Sequence, residues 1–224
     1  MPNYEVHYLS VSDADAIIIR YENSGDQYVV LIDAGNVSDS DKIKNYIWNH
    51  WKTYTIDLAI CTHPDSDHKG GFFGLLNDRD VIINEFWLNT PEDVIKEDEY
   101  NRLYPKRNRL SHCRECYDHP TDTDSLNLID LAVSNKCNVY GAYCGKIHSH
   151  IPISVVGPSL DFYHPLAIEI LKNNKRRKDE DNTIYNDIGY FSSVQAKSSI
   201  DDEPDDCSPT NAGSIILLFL EFNL

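Results

Sequence analysis

Thr62-His63-Pro64-Asp65-Ser66-Asp67-His68-Lys69-Gly70-Gly71 is the stretch on which the reading of this chain turns. It gathers four ligand-type side chains, His63, Asp65, Asp67 and His68, within six residues. The apolar run Ile56-Asp57-Leu58-Ala59-Ile60-Cys61 leads into it and two glycines lead out. That pattern predicts a buried strand, a tight ligand-rich loop and then a helix. Imidazole and carboxylate donors together suit zinc, manganese or iron. In an extended segment, His63, Asp65 and Asp67 would turn to a common side because strand side chains alternate, and a turn would bring His68 back to the same cavity. Histidines and carboxylates also gather on solvated loops. Here the ligand density, the preceding strand and the Gly-Gly exit coincide, which favours a metal-binding loop.

The arrangement His63-x-Asp65-x-Asp67-His68-x-Gly70-Gly71 resembles the metal loop of the metallo-β-lactamase superfamily, HxHxDH, with Asp65 in place of the second histidine. The HxDxDH form is similar to that of the hydrolase domain of DNA-uptake competence proteins. Three further segments agree in order. Tyr8 to Ile19, with Asp15-Ala16, resembles the opening strand and its Gly-Asp-Ala turn; Leu31-Ile32-Asp33-Ala34-Gly35 resembles the second strand and its turn. Val155-Val156-Gly157-Pro158, followed by Asn211 to Leu218, resembles the mid-domain junction and the strand after it.

The resemblance implies a layered α/β (α+β) fold, a partial αββα sandwich made mainly of the N-terminal half with insertions. It implies one or two divalent ions, with His63 and Asp65 serving one and Asp67 and His68 the other. Asp67 would also accept a proton in catalysis. Zinc is the first expectation; replacing histidine by Asp65 hardens the site towards manganese or iron. Asp15 and Asp33 are expected to orient the loop through hydrogen bonds rather than to bind metal; for Asp33 a plain turn residue is the even alternative. The implied chemistry is hydrolysis by a metal-activated water, with phosphodiesters of nucleic acids or nucleotides as substrates. In the family the late strand leads to a Thr-Gly-Asp turn, whose carboxylate bridges two metals, and then to another histidine. Neither segment occurs in this sequence. The expectation is therefore a C-terminally incomplete domain. It would be either a hydrolase whose missing ligands come from elsewhere, or a binding or regulatory half-domain.

A chain of 224 residues, 41% hydrophobic and 25% charged, has the composition of one ordinary globular domain over 1–224. No apolar run approaches the roughly 20 residues that span a bilayer, and the start lacks the basic and apolar regions of a signal peptide. The expectation is an intracellular, cytoplasmic protein without membrane partners. Its 36 acidic against 20 basic residues, net −16, favour a small-molecule or nucleotide substrate over a long nucleic-acid track. Six cysteines in such a chain are expected to stay reduced. His112-Cys113-x-x-Cys116-x-x-His119 places four zinc-type ligands in eight residues. So close a packing makes tetrahedral closure difficult, and partly buried thiols are the stronger reading.

Alternation and turn residues predict a hairpin of Ile17–Ile19 with Tyr28–Ile32. Helical spacing predicts a helix over about 40–51 and another carrying Phe72, Phe73, Leu75 and Leu76, with strands at 58–60 and 82–88. Residues 90–150 read as a helical and loop insertion. Within it a charged helix is expected over 91–104, a loop over 104–123 and a capped helix from Asp124 through Val133. A strand is expected at 151–156, a flexible insertion over 159–210 with a short helix near 166–171, and an apolar last strand. Ser214 to Leu220 is apolar on both faces, so self-association or a completing chain is expected along it.

Overall fold

In the computed structural model, residues 3–11, 13–121, 126–173 and 208–219 are described. The first three strands form an antiparallel meander: β1 (Asn3–Tyr8), β2 (Ile17–Asn23) and β3 (Asp26–Ile32). Ser24 and Gly25 turn the hairpin between β2 and β3, and both have positive φ, 55° and 97°. A two-residue loop of that form matches the right-handed twist of its strands. Helix α1 (Ser40–Trp51) crosses over to β4 (Thr55–Ile60), which pairs parallel to β3. Helix α2 (Ser66–Asn77) crosses to β5 (Ile82–Trp87), again parallel. The six-stranded sheet runs in sequence order and ends at β6 (Asn138–Tyr140). Against it lies an antiparallel pair, β7 (Ile153–Gly157) and β8 (Ile216–Phe219).

Burial follows the alternation of the strands. One face of the sheet (Ile18, Val29, Leu31, Ile56, Ala59, Phe86) packs on Ile43 and Ile47 of α1 and on Phe72, Phe73, Leu75 and Leu76 of α2. The other face (Ile19, Val30, Leu58, Ile60, Trp87) packs on Ile151, Ile153, Val155 and Ile215. Helices, sheet and second sheet are thus stacked as layers, the α/β architecture expected from the sequence. β8 is apolar on both sides, but only one is covered. Leu217 and Phe219 face the inter-sheet core, while Ile216 and Leu218 are exposed.

Several local expectations are corrected. Residues 91–104 form two helices, α3 (Pro91–Val94) and α4 (Glu97–Leu103), because Ile95 leaves the helix in an extended conformation and is fully buried. The expected loop over 104–123 contains α5 (Arg109–Arg114), whose N-cap Asn108 accepts from the Ser111 N–H, and a 3-10 turn over Glu115–Tyr117. Helix α6 (Leu128–Ser134) is capped by Asn127; Asp124 lies outside the described residues. Within the expected insertion at 159–210, α7 (Leu160–Asn173) is a 14-residue helix that tolerates Pro165, and α8 (Pro209–Ala212) precedes β8. The remainder of that insertion, 174–207, lies outside the described residues, as does Leu220. β1 and β6 have no clear signal in the sequence. No helix among the described residues is long and apolar enough to cross a membrane.

The 90–173 helices enclose a third core of Ile95, Tyr100, Tyr104, Cys113, Tyr163, Ala167, Ile170 and Leu171. His112, 1% exposed, bridges it. Tyr100 donates its hydroxyl to His112 Nδ1 at 2.8 Å, and His112 Nε2–H donates to the Leu171 carbonyl at 3.0 Å. Both ring nitrogens are therefore engaged. Cys113 is buried, and His119 packs its ring edge-on to Phe73 at 4.6 Å. The 112–119 cluster does not form a zinc site: no group of three or more His, Cys, Asp or Glu among the described residues is gathered closely enough to hold an ion.

Burial, aided by the Arg107 charge, pushes the His112 pKa down to about 4. The folded state holds this ring neutral while the unfolded chain protonates it near pH 6.5. Its contribution is complete above that pH and is lost as pH falls towards 4, on the order of 3 kcal/mol in all. Urea midpoints at pH 7.5 and 5 should differ less in His112→Gln than in the parent protein. Equal differences would show that His112 does not set this dependence.

Candidate metal centre

The ligand loop sits where β4 delivers chain to α2, at the carboxyl end of a parallel strand, where open α/β sheets place their sites. His63 follows the strand in a short turn. Asp65 is the N-cap of α2, extended at φ −70° and ψ 151°, and makes no capping hydrogen bond with its side chain. Its carboxylate is therefore turned to other partners. Asp67 and His68 lie in the first helical turn. The period-two expectation thus ends at Asp65: helical geometry, not strand alternation, presents Asp67 and His68.

Gly70 and Gly71 allow this helix to touch the loop after β3. A Cβ on Gly71 would stand 2.0 Å from the Ala34 carbonyl oxygen, and one on Gly70 would stand 2.6 Å from the Val37 nitrogen. Two backbone bonds cross the contact, Ala34 N–H to the His68 carbonyl at 2.8 Å and Gly71 N–H to the Gly35 carbonyl at 3.1 Å. The close approach carries Asp33 under the ligand loop.

Asp33 is 4% exposed, with φ 54°. Its carboxylate accepts from the Thr62 N–H at 2.7 Å, the Thr62 hydroxyl at 2.7 Å and His68 Nδ1–H at 2.9 Å. The Thr62 hydroxyl has one proton, given to Asp33, so His63 Nδ1–H donates to Thr62 Oγ1 at 3.0 Å. One carboxylate therefore sets both rings, His68 directly and His63 through Thr62. In each neutral ring the proton stands on Nδ1 and leaves Nε2 as the ligand atom. Of the two sequence readings of Asp33, the orienting role is the one its contacts support.

The ligand atoms stand in pairs. His63 Nε2 lies 3.6 Å from Asp65 Oδ2, and His68 Nε2 lies 3.6 Å from Asp67 Oδ2. The two imidazole centroids are 3.9 Å apart. Donors on one ion at about 2.1 Å stand about 3.0–3.4 Å from each other. The donor chemistry suits a divalent ion, but the 3.6 Å separations are wider than that, and here too no three His, Cys, Asp or Glu among the described residues are gathered as one ion-holding group; the loop offers two donor pairs. Asp15 ties the ligand helix through its backbone: its N–H donates to the Asp67 carbonyl and Gly35 N–H donates to the Asp15 carbonyl, clipping the 13–16 turn across the helix start. Its side chain forms an ion pair with His68, Oδ2 standing 3.7 Å from Nε2.

The two histidines are pushed in opposite directions. Burial, with the neighbouring His68, lowers the pKa of His63. Burial also acts to lower His68, but the Asp33 hydrogen bond and the charges of Asp33, Asp67 and Asp15 outweigh it and raise the pKa. Behind them Lys69 is 7% exposed, its pKa lowered by burial, and its ammonium donates to the Cys116 carbonyl. That bond ties the 109–117 region to the ligand helix. From far along the chain, Ser214 Oγ approaches His63 Nδ1 at 3.4 Å, Thr210 donates to Asp65 Oδ2 at 3.4 Å, and the Ile215 N–H donates to the Thr62 carbonyl at 3.0 Å. No pattern in the sequence connects those residues to the loop. Thr62, by contrast, is readable from its place beside His63.

The family model described as Metallo-beta-lactamase superfamily matches residues 10–164, which include every strand and helix that positions this centre up to β7. The chain belongs to the metallo-beta-lactamase superfamily. Among solved structures of this superfamily, MEM-A1, a subclass B3 metallo-beta-lactamase from a soil metagenome library, is 14% identical, with a TM-score of 0.39. The match covers 67% of this chain and 48% of that one. A motif mutant of the metallo-beta-lactamase from Cronobacter sakazakii is also 14% identical, with a TM-score of 0.37, covering 67% of this chain and 49% of its own. The chain spans about half the length of these two superfamily structures. No curated protein matches the sequence.

Proposed function

We propose that the protein is a metal-dependent hydrolase acting on phosphodiester bonds of nucleotide-type substrates. The observation that carries the reading is the single carboxylate, Asp33, that directs both imidazole Nε2 atoms to the side where Asp65 and Asp67 present theirs. His63 and Asp65 would hold one ion, Asp67 and His68 a second; zinc, manganese and iron all suit this donor set. A bound divalent ion supplies a water whose pKa falls to about 7. The residues then do the rest. Asp33 and Thr62 would keep the rings oriented, and the half-exposed Asp67 carboxylate would accept the proton of the attacking water. The phosphodiester assignment is supported by the HxDxDH form, similar to that of competence-protein hydrolase domains. The net charge of −16 favours small substrates over long nucleic acid.

The test is direct. The purified chain should hold near-stoichiometric divalent metal and hydrolyse bis-p-nitrophenyl phosphate. His63→Ala should lower the rate at least about 100-fold, since the loss of a ligand exceeds the 10–100-fold cost of losing a mere orienting partner. Absence of both metal and activity, unchanged by His63→Ala, would sink the proposal.

A second reading makes the chain a binding or regulatory unit completed by another chain or by a copy of itself. It is supported by the outer face of the β7–β8 pair, where Val156, Ile216 and Leu218 are exposed by 47%, 57% and 48%. Sedimentation at micromolar concentration distinguishes the two, an associating species dissociated by Leu218→Lys supporting the second reading.

A further inference from the structure

Between β6 and β7 the chain makes a tight turn that sends Ile151 and Ile153, each 1% exposed, into the inter-sheet core with Trp87. One imidazole holds this turn. His148 Nδ1 accepts from the His150 N–H at 3.2 Å and from the Ile151 N–H at 3.0 Å, and the His148 N–H donates to the Ile153 carbonyl at 3.1 Å. Asparagine and aspartate close turns in the same way, with a side-chain oxygen bonded to amides a few residues on. Here a ring nitrogen takes the place of that oxygen. The neutral ring can do so only with its proton on Nε2. An imidazolium has two N–H donors and no acceptor, so no rotamer of the charged ring keeps either bond.

The surroundings of the ring, whose side chain is 7% exposed, do not rescue the charged form. From β5, Glu85 Oε2 stands 3.7 Å from Nε2, too far for a hydrogen bond, and the Trp87 indole N–H holds the other oxygen of that carboxylate. From β4, Asp57 acts on the ring by its charge, while its oxygens accept from the Val29 N–H at 2.8 Å and from Asn84 Nδ2–H at 3.3 Å. His150, stacked on Tyr28 of β3, has its ring centroid 6.2 Å from that of His148. Lys146 extends over the rings of Trp87 and Tyr140 at 4.8 Å and 4.4 Å. Burial lowers the pKa of His148; Glu85 and Asp57 oppose that shift, and His150 and Lys146 add to it.

We propose that His148 is a pH-sensitive latch: its neutral imidazole closes the 148–151 turn on the core, and its protonation releases that turn while the sheet stays folded. The latch involves none of the ligand-loop residues and does not depend on a metal. The closed turn holds the ring neutral, whereas the released ring takes up a proton near its ordinary value of about 6.5. Closure is therefore complete above that pH and is lost as pH falls below it.

The test is amide hydrogen exchange by NMR on the full chain between pH 7.5 and 5, each rate taken relative to the intrinsic rate at the same pH. In the parent, protection of the Ile151 amide should be constant above about pH 6.5 and should fall below it by up to about tenfold per pH unit. Amides of β4 should keep their protection throughout. The side-chain oxygen of His148→Asn can take the same N–H bonds without titrating. That variant should match the parent at Ile151 within about threefold at pH 7.5 and hold the value down to pH 5. A flat profile in the parent, an equal fall in His148→Asn, or a parallel fall in β4 would each overturn the latch. Nitrogen-15 NMR of the parent at pH 7.5 should show the Nε2–H tautomer of His148, and the Nδ1–H tautomer there would overturn it independently of any variant.

Discussion

Substituting Gly71 with alanine should lower the thermal midpoint by roughly 4–8 °C and abolish metal binding at temperatures where the parent protein is folded. The added methyl would lie 2.0 Å from the Ala34 carbonyl oxygen and 3.2 Å from the Ala34 Cβ. A flexible side chain could yield, but a backbone carbonyl cannot. Helix and loop are also held together on both sides of the clash, by Ala34 N–H to the His68 carbonyl and Gly71 N–H to the Gly35 carbonyl. Alanine is the better helix former by about 1 kcal/mol, while overpacking against a backbone carbonyl stands at the upper end of its usual range, about 3 kcal/mol. The clash wins. The net cost is about 2 kcal/mol, and at roughly 2–4 °C per kcal/mol for a chain of this size a fall of about 4–8 °C follows. The damage also reaches the site, because relief of the clash moves α2 away from the turn that carries Asp33. A midpoint within about 2 °C of the parent would show that the two elements are not clamped as described.

Asp33→Asn should separate orientation from folding. Asparagine tolerates the left-handed backbone at φ 54° and keeps an oxygen for the Thr62 N–H. Its amide would face His68 Nδ1 as a donor where the carboxylate was an acceptor. The ring must then turn its lone pair to Nδ1 and its proton to Nε2, the atom needed for metal. Metal affinity should fall about 10–100-fold. Stability should fall by about 2 kcal/mol, the scale of hydrogen bonds to a charged group. Nitrogen-15 NMR of the metal-free protein, followed upwards in pH until the His68 ring has lost its second proton, should show the Nδ1–H tautomer of His68 in the parent and the Nε2–H tautomer in the variant. An unchanged tautomer would remove Asp33 from the role of directing the ligand atoms.

The fold was legible wherever burial imposed a period. The hairpin of β2 and β3, α1, and the β4–loop–α2 unit follow from alternation, helical spacing and turn chemistry. Their side chains meet a continuous core on at least one face. Legibility failed where packing overrode local preference. Ile95 leaves a helical run because the third core takes its side chain. α5 forms inside an Arg-, His- and Cys-rich stretch because Asn108 caps it and His112 and Cys113 are buried. β1 is mostly exposed along its length, so its side chains gave no periodic signal.

The sequence by itself determined the candidate ligand set. His63, Asp65, Asp67 and His68 must lie together because six consecutive residues between a buried strand and a helix cannot separate far. It also determined the Gly-Gly exit, which only side-chain-free residues can fill at so close a helix–loop contact. What the tertiary structure alone decided is which atoms of those residues face inward, and in whose company. Asp33, about 30 residues before the loop, reads both rings through three hydrogen bonds and one relay. Asp15 arrives at the ligand face because its turn is clipped over the start of α2. Ser214 and Thr210 reach His63 and Asp65 from about 150 residues away. The reason is physical: ligand identity is a matter of local composition, whereas the tautomer and direction of a histidine depend on hydrogen-bond partners that only long-range packing can bring into place.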